Sequence, residues 1–192
     1  MSEIAQTIIS NWPVIVSAVL GSGVTTVALS ATFNHFSKKK EENVRIQHLA
    51  LKLAFLFERY AIEANERISQ YQFELDAYPN MGEPTMGLPD MSQLPESADY
   101  DLLPASIYNE IQDFMDWIGW KRSEANFRHN VEGRLSGYDQ SRLSTAQLGE
   151  MALKIADQVR SLTDTNARTL VFDDANIRKL LKSEVSKGKS DE

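Results

Sequence analysis

His35, His48 and His129 are the three imidazoles of this chain, and the residues around them give them no metal to hold. A helical di-metal centre needs Glu-x-x-His, which sets a carboxylate and an imidazole on one face, and that spacing does not occur. H-E-x-x-H, G-x-S-x-G, a phosphate loop and G-x-G-x-x-G are absent too. Glu63 and Glu66 are helix neighbours, Glu58 points elsewhere, and Arg59 and Arg67 stand close enough in sequence to neutralise them. Asp113 and Asp116, three apart, have the spacing to share a hard cation, but two acids on an outer helix face read as solvated surface. The absence of cysteine excludes disulfides, thiol nucleophiles and cysteine-ligated metal. No catalytic residue, cofactor or metal site is expected.

The elements that would position such groups are helical. From Glu41 to Tyr78 there is neither Pro nor Gly, and Ile46, Leu49, Leu53, Leu56, Tyr60, Ala64, Ile68, Tyr71, Leu75 and Tyr78 follow steps of three and four. That spacing keeps one apolar stripe along one long helix. Its middle, Leu49 to Ile62, is apolar more than halfway round, which calls for two neighbours. Pro79 ends it, because proline disfavours helix at the residue before it. Residues 79–104 then hold five of the six prolines, five acids and no base. They predict a Pro/Met-rich acidic strap over the bundle, pinned by Leu88, Leu94 and the methionines. Met86, Leu88, Pro89 and Met91 are also its candidate contacts for a partner, since Met-rich segments adapt to surfaces.

Pro104 and Ser106 open the next helix, which carries Ile107, Ile111, Phe114, Met115, Ile118, Trp117 and Trp120, fades past Phe127 and stops at Gly133. Tryptophans at such spacing are expected in the core. Residues 133–143, with two glycines, read as a loop. Ser144 with Gln147 reads as the capping box of a third helix, whose Leu148, Met151, Ile155, Val159 and Leu162 face inward. Asp173 or Asp174 caps a short last helix with Ile177, Leu180, Leu181 and Val185 on one side, and residues 187–192 should fray. The fold class expected is all-α: one long helix, the strap, two medium helices and a short one.

Ahead of this domain lies an uncharged run from Pro13 to Phe33, followed by Lys38, Lys39 and Lys40. At ~1.5 Å per residue it is roughly 31 Å long, about the hydrocarbon thickness of a bilayer. The expected division is a short outside tail at 1–12, a transmembrane helix at 13–36, a basic segment at 37–40 and a cytoplasmic domain at 41–186. The lysines hold the C-terminal side inside, and Trp12 falls near the outer interface. The arrangement resembles that of small bacterial inner-membrane proteins with one span. Ser17, Gly21 and Thr25 share one helix face of small residues, which suits close association of two spans.

The net charge of −7 is concentrated in the strap, and no stretch has the positive balance of a nucleic-acid footprint. The partners expected are membrane lipid and another protein or a second copy, without nucleic acid. Two roles compete: a membrane-anchored scaffold or adaptor, and a membrane-active effector whose span oligomerises and perturbs the bilayer. Gly21→Leu should weaken association of labelled spans in vesicles by about 1–2 kcal/mol, with Val24→Leu as the hydrophobic control. Equal energy transfer in all three forms would reduce the small residues to filler.

Overall fold

The computed structural model describes residues 23–77, 87–91, 93–96, 98–163 and 174–188. All regular structure in them is helical: α1 (Gly23–Ala77), a 3-10 turn (Ala98–Leu102), α2 (Ala105–Val131), α3 (Arg134–Arg160) and α4 (Asp174–Gly188). The chain divides into two compact units, Met1–Val44 and Arg45–Glu192. In the first, the described backbone from Gly23 onward is helical and stays so through Lys38, Lys39 and Lys40, whose sequence offers no breaker. Those three lysines are exposed. Among the described residues no helix is long and apolar enough to cross a membrane. Trp12, Ser17, Gly21 and residues 13–22 of the expected span lie outside the described residues, and of Thr25 only the helical backbone is described.

The second unit is built around the stripe of α1 that the periodicity predicts. Leu49, Leu53, Phe57, Tyr60, Ala64, Ile68 and Tyr71 are buried on it, with Ala50, Ala54 and Ala61 beside them. α2 meets this face through Phe114, whose ring takes Phe57 edge-on at 5.2 Å and 78° and Tyr60 at 5.2 Å and 83°. Such edge-to-face pairs add about 0.5–1.5 kcal/mol beyond their buried area. α3 meets α1 through Tyr138, which lies 4.1 Å from Tyr71. It also comes very close at Gly149, where a Cβ would stand 3.2 Å from Ala64 and 3.0 Å from Leu181 of α4. Ile177 and Leu181 of α4 are buried and close the core, with Leu180 and Val185 packed at its edge.

α3 begins ten residues earlier than the sequence suggests. Gly133, at φ 103°, makes the sharp turn that only glycine adopts cheaply, and the chain is helical from Arg134. Gly137 is no loop marker. A Cβ there would lie 2.4 Å from His129 Cα, so this glycine lets the start of α3 lie against the end of α2. Ser144 is therefore not a cap. It is fully buried inside α3, where its hydroxyl receives a hydrogen bond from Gln140 at 3.3 Å. Neighbouring Ser141 and Thr145 donate back one turn, to Gly137 O at 2.9 Å and Ser141 O at 2.7 Å. That local bonding is what allows hydroxyls into a helix–helix seam.

Charge crosses the bundle at defined points. Arg160, the last residue of α3, forks onto Glu58 of α1 at 2.5 and 2.9 Å, and both residues are 7% exposed. The Glu58 hydrogen bond holds the Arg160 guanidinium above its ordinary pKa. Glu184 of α4 is buried as well and accepts from Gln72 of α1 and Lys187, with Arg142 of α3 at 3.6 Å. Glu110 of α2 accepts from Gln158 and Lys154 of α3 at 3.0 and 3.1 Å. The Gln158 bond, with the Lys154 contact, holds its carboxyl below the usual range, so the stability this link contributes is lost as pH falls through the usual carboxylate range and below it.

Removing one partner of a buried pair strands the other charge. Arg160→Ala and Glu58→Leu are each expected to cost about 3 kcal/mol in urea unfolding. The double change Glu58→Leu with Arg160→Met should recover most of that loss. Single losses below about 1 kcal/mol would mean that the pair behaves as a surface ion pair.

Candidate functional site

α2 has apolar side chains on two faces, and the core takes only one of them. Ile107, Ile111, Phe114, Ile118 and Ala125 are buried. Trp117, Trp120, Phe127 and Val131 lie on a second stripe, roughly 120° round the helix at 100° per residue. They are exposed by 44%, 55%, 61% and 65%. The expectation that Trp117 and Trp120 belong to the core is thus overturned. Burial is confined to the row of Ile107, Ile111, Phe114, Ile118, Lys121 and Ala125, because α1 and α3 cover α2 from one side and no described element lies over the other.

The exposed rings are ordered by one another and by a cation. Trp117 and Trp120 meet at 5.2 Å and 80°, edge to face. Lys121 is buried along its stem, and its ammonium lies 4.7 Å from the Trp120 ring and 5.6 Å from Trp117. The same ammonium pairs with Glu124 at 3.2 Å. A cation over two indole faces, tethered by a carboxylate, keeps both rings presented at little entropic cost. Asp113 and Asp116, exposed on the N-terminal flank of the stripe, form no hydrogen bond or ion pair among the described residues. They meet no third ligand either, since no group of three metal-ligating side chains exists among the described residues.

The strap is tied down at several points. Arg67 donates to Gly87 O at 2.8 Å, Arg122 pairs with Asp90 at 2.6 Å, and Arg45 pairs with Asp99. Tyr100 donates to Pro95 O at 3.0 Å and turns its ring toward Tyr108 of α2. Leu88 and Pro89 are buried in this chain's own core, while Met91 and Leu94 are partly buried against it. Of the four strap residues singled out as partner contacts, then, two are spent internally and Met91 is half covered. Met86 lies outside the described residues.

Among the described residues neither His48 nor His129 belongs to a group of three metal-ligating side chains, and His129 lies against Gly137. The sequence signal for the α2 surface was present but ambiguous. Trp120, Phe127 and Val131 continue the three- and four-residue steps from Trp117, yet they fall off the row defined by Ile107, Ile111, Phe114 and Ile118. No family model, curated protein or solved structure matches the chain.

Side chains that nothing covers contribute little to folding. Trp120→Ala and Phe127→Ala should therefore each change thermal stability by less than about 1 kcal/mol. Phe114→Ala, which empties the centre of the core, should cost about 3–5 kcal/mol. Losses of equal size at positions 114 and 120 would return the tryptophan face to the core.

Proposed function

We propose that this chain is a membrane-anchored helical interaction protein without a catalytic role. Residues 13–36 act as the span, the lysines at 38–40 hold the following domain on the cytoplasmic side, and the outer face of α2 docks a protein partner. The observation that carries the docking role is the exposed Trp117–Trp120 pair, continued by Phe127 and Val131 over four turns of one helix. Tryptophan held rigid by its neighbours is the side chain most enriched at energetic centres of protein interfaces. Asp113 and Asp116 border the N-terminal end of the stripe, and these two acids suit a partner that is apolar at its centre and basic at that end. The same acids disfavour an anionic lipid surface.

Both halves of the proposal are open to test in cells expressing the full chain. After a carbonate wash, the full chain should stay in the membrane pellet and a form lacking residues 1–40 should leave it. Release of the full chain by carbonate would overturn the anchor. A photoreactive residue at position 120 should give a discrete adduct with another protein chain, abolished by Phe127→Asp and absent when the probe stands at exposed Lys179. Adducts to lipid alone, or none, would overturn the docking role.

A further inference from the structure

A second feature lies where the strap meets α1. Arg59, Tyr60, Glu63 and Arg67 of α1 line a cleft there with Asp90 and Met91 of the strap, around a cavity of about 180 Å³. That is far more than the ~10–15 Å³ one water needs. Tyr60 is 3% exposed, and its hydroxyl is buried with no hydrogen-bond partner. Buried hydroxyls are almost always bonded, so an orphan one on a residue that lines a polar cleft asks for a partner atom. Burial holds the Tyr60 phenol above its ordinary pKa, leaving it a neutral donor.

The charges around the cleft identify the ligand's sign. Glu63 is taken by Arg67, whose Nε and terminal nitrogen both donate to it at 3.2 and 2.8 Å. Asp90 is taken by Arg122 at 2.6 Å. Arg59 has no hydrogen bond or ion pair among the described residues. The two carboxylates are therefore matched, and one guanidinium is left over beside an unpartnered O–H donor. Arg67 also keeps unused N–H groups after its bonds to Glu63 and Gly87. Arg67 and Arg122 already balance the two acids, so Arg59 leaves the cleft with one positive charge in excess, and an anion finds three sets of donors.

We propose that this cleft binds a small oxyanion, a phosphate or carboxylate group, which accepts hydrogen bonds from Tyr60, Arg59 and the free N–H groups of Arg67. Guanidinium donors fit either group because both present paired oxygens to a planar fork. The strap supplies one wall, so an occupied cleft also holds residues 87–91 more firmly against α1. The site stands apart from the α2 aromatic face and does not depend on membrane anchorage.

Calorimetric titration of the full chain in a neutral detergent tests this, using inorganic phosphate and acetate at matched ionic strength with chloride as control. Saturable binding of phosphate, acetate or both is expected, and the stronger of the two identifies the group. Tyr60→Phe keeps the ring against Phe114 and removes only the orphan hydroxyl, so it should fold at least as well as the wild type. It should nevertheless weaken binding about tenfold, as should Arg59→Gln, the loss expected for one hydrogen bond to a charged group. Lys179→Gln, on the exposed side of α4, should leave binding unchanged. Absence of saturable binding, or equal binding in wild type, Tyr60→Phe and Arg59→Gln, would overturn the proposal and leave the cleft to water.

Discussion

A carboxylate and a guanidinium that are both almost wholly withdrawn from water tolerate very little misplacement. Glu58 and Arg160 meet through two hydrogen bonds with each residue 7% exposed, and a shift of one residue in either helix would strand both charges. The pair therefore sets the register of α3 on α1. Once that register is fixed, Gly149 falls opposite Ala64, Tyr138 reaches Tyr71, and Leu181 of α4 has a seat between the two helices. Arg160 is also the last residue of α3, where a cation complements the helix dipole. Hydrophobic burial supplies most of the driving force in such a bundle, but it is non-directional; the ion pair and the small-residue contact select one arrangement among those with similar apolar area.

With α1 committed on one side to α2 and α3, the remaining surfaces take distinct characters. The strap spends Leu88 and Pro89 on the core and is moored by arginines from both α1 and α2. The described strap stays in place this way because side chains, rather than a backbone ladder, provide the attachment. The strap also encloses the polar cleft at Tyr60, so the same segment that completes the core creates a concave surface beside it. α2, by contrast, is apolar on both sides, and its outer stripe of Trp117, Trp120, Phe127 and Val131 remains in water. Large rings held in water by a neighbouring cation and by each other are a cost to solubility that stability does not require.

Much of the fold could be read from the residues. The uninterrupted three- and four-residue steps of α1, the start of α2 after Pro104 and the inward row of α4 are local consequences of periodicity and backbone sterics, while the stop expected at Pro79 lies outside the described residues. The Glu63–Arg67 pair follows from spacing alone. The misreadings share one cause. Gly133 and Gly137 have the same sequence appearance, yet one makes a turn with φ 103° and the other sits in a helix because His129 crowds it from another helix. Ser144 with Gln147 has the form of a cap, but a cap needs a helix end, and α3 had already begun ten residues before. Of the candidate site, the tryptophans were legible and their exposure was not; Tyr60 read as one more core residue, and its hydroxyl became distinctive only once the strap was in place.

The sequence by itself determined that the described chain is helical, where most helices stop, and that an uncharged run precedes the lysines; it did not foresee the 3-10 turn at Ala98–Leu102 within the strap. Each feature it determined depends on residues within a few turns of one another. Only the tertiary structure decided which apolar face of α2 is buried, which acid meets Arg160, and which glycine turns the chain. The physical reason is that periodicity places side chains on a face without saying what lies opposite. Burial, ion pairing and close approach all depend on a neighbour remote in sequence: Glu58 and Arg160 are 102 residues apart, and no local pattern relates them.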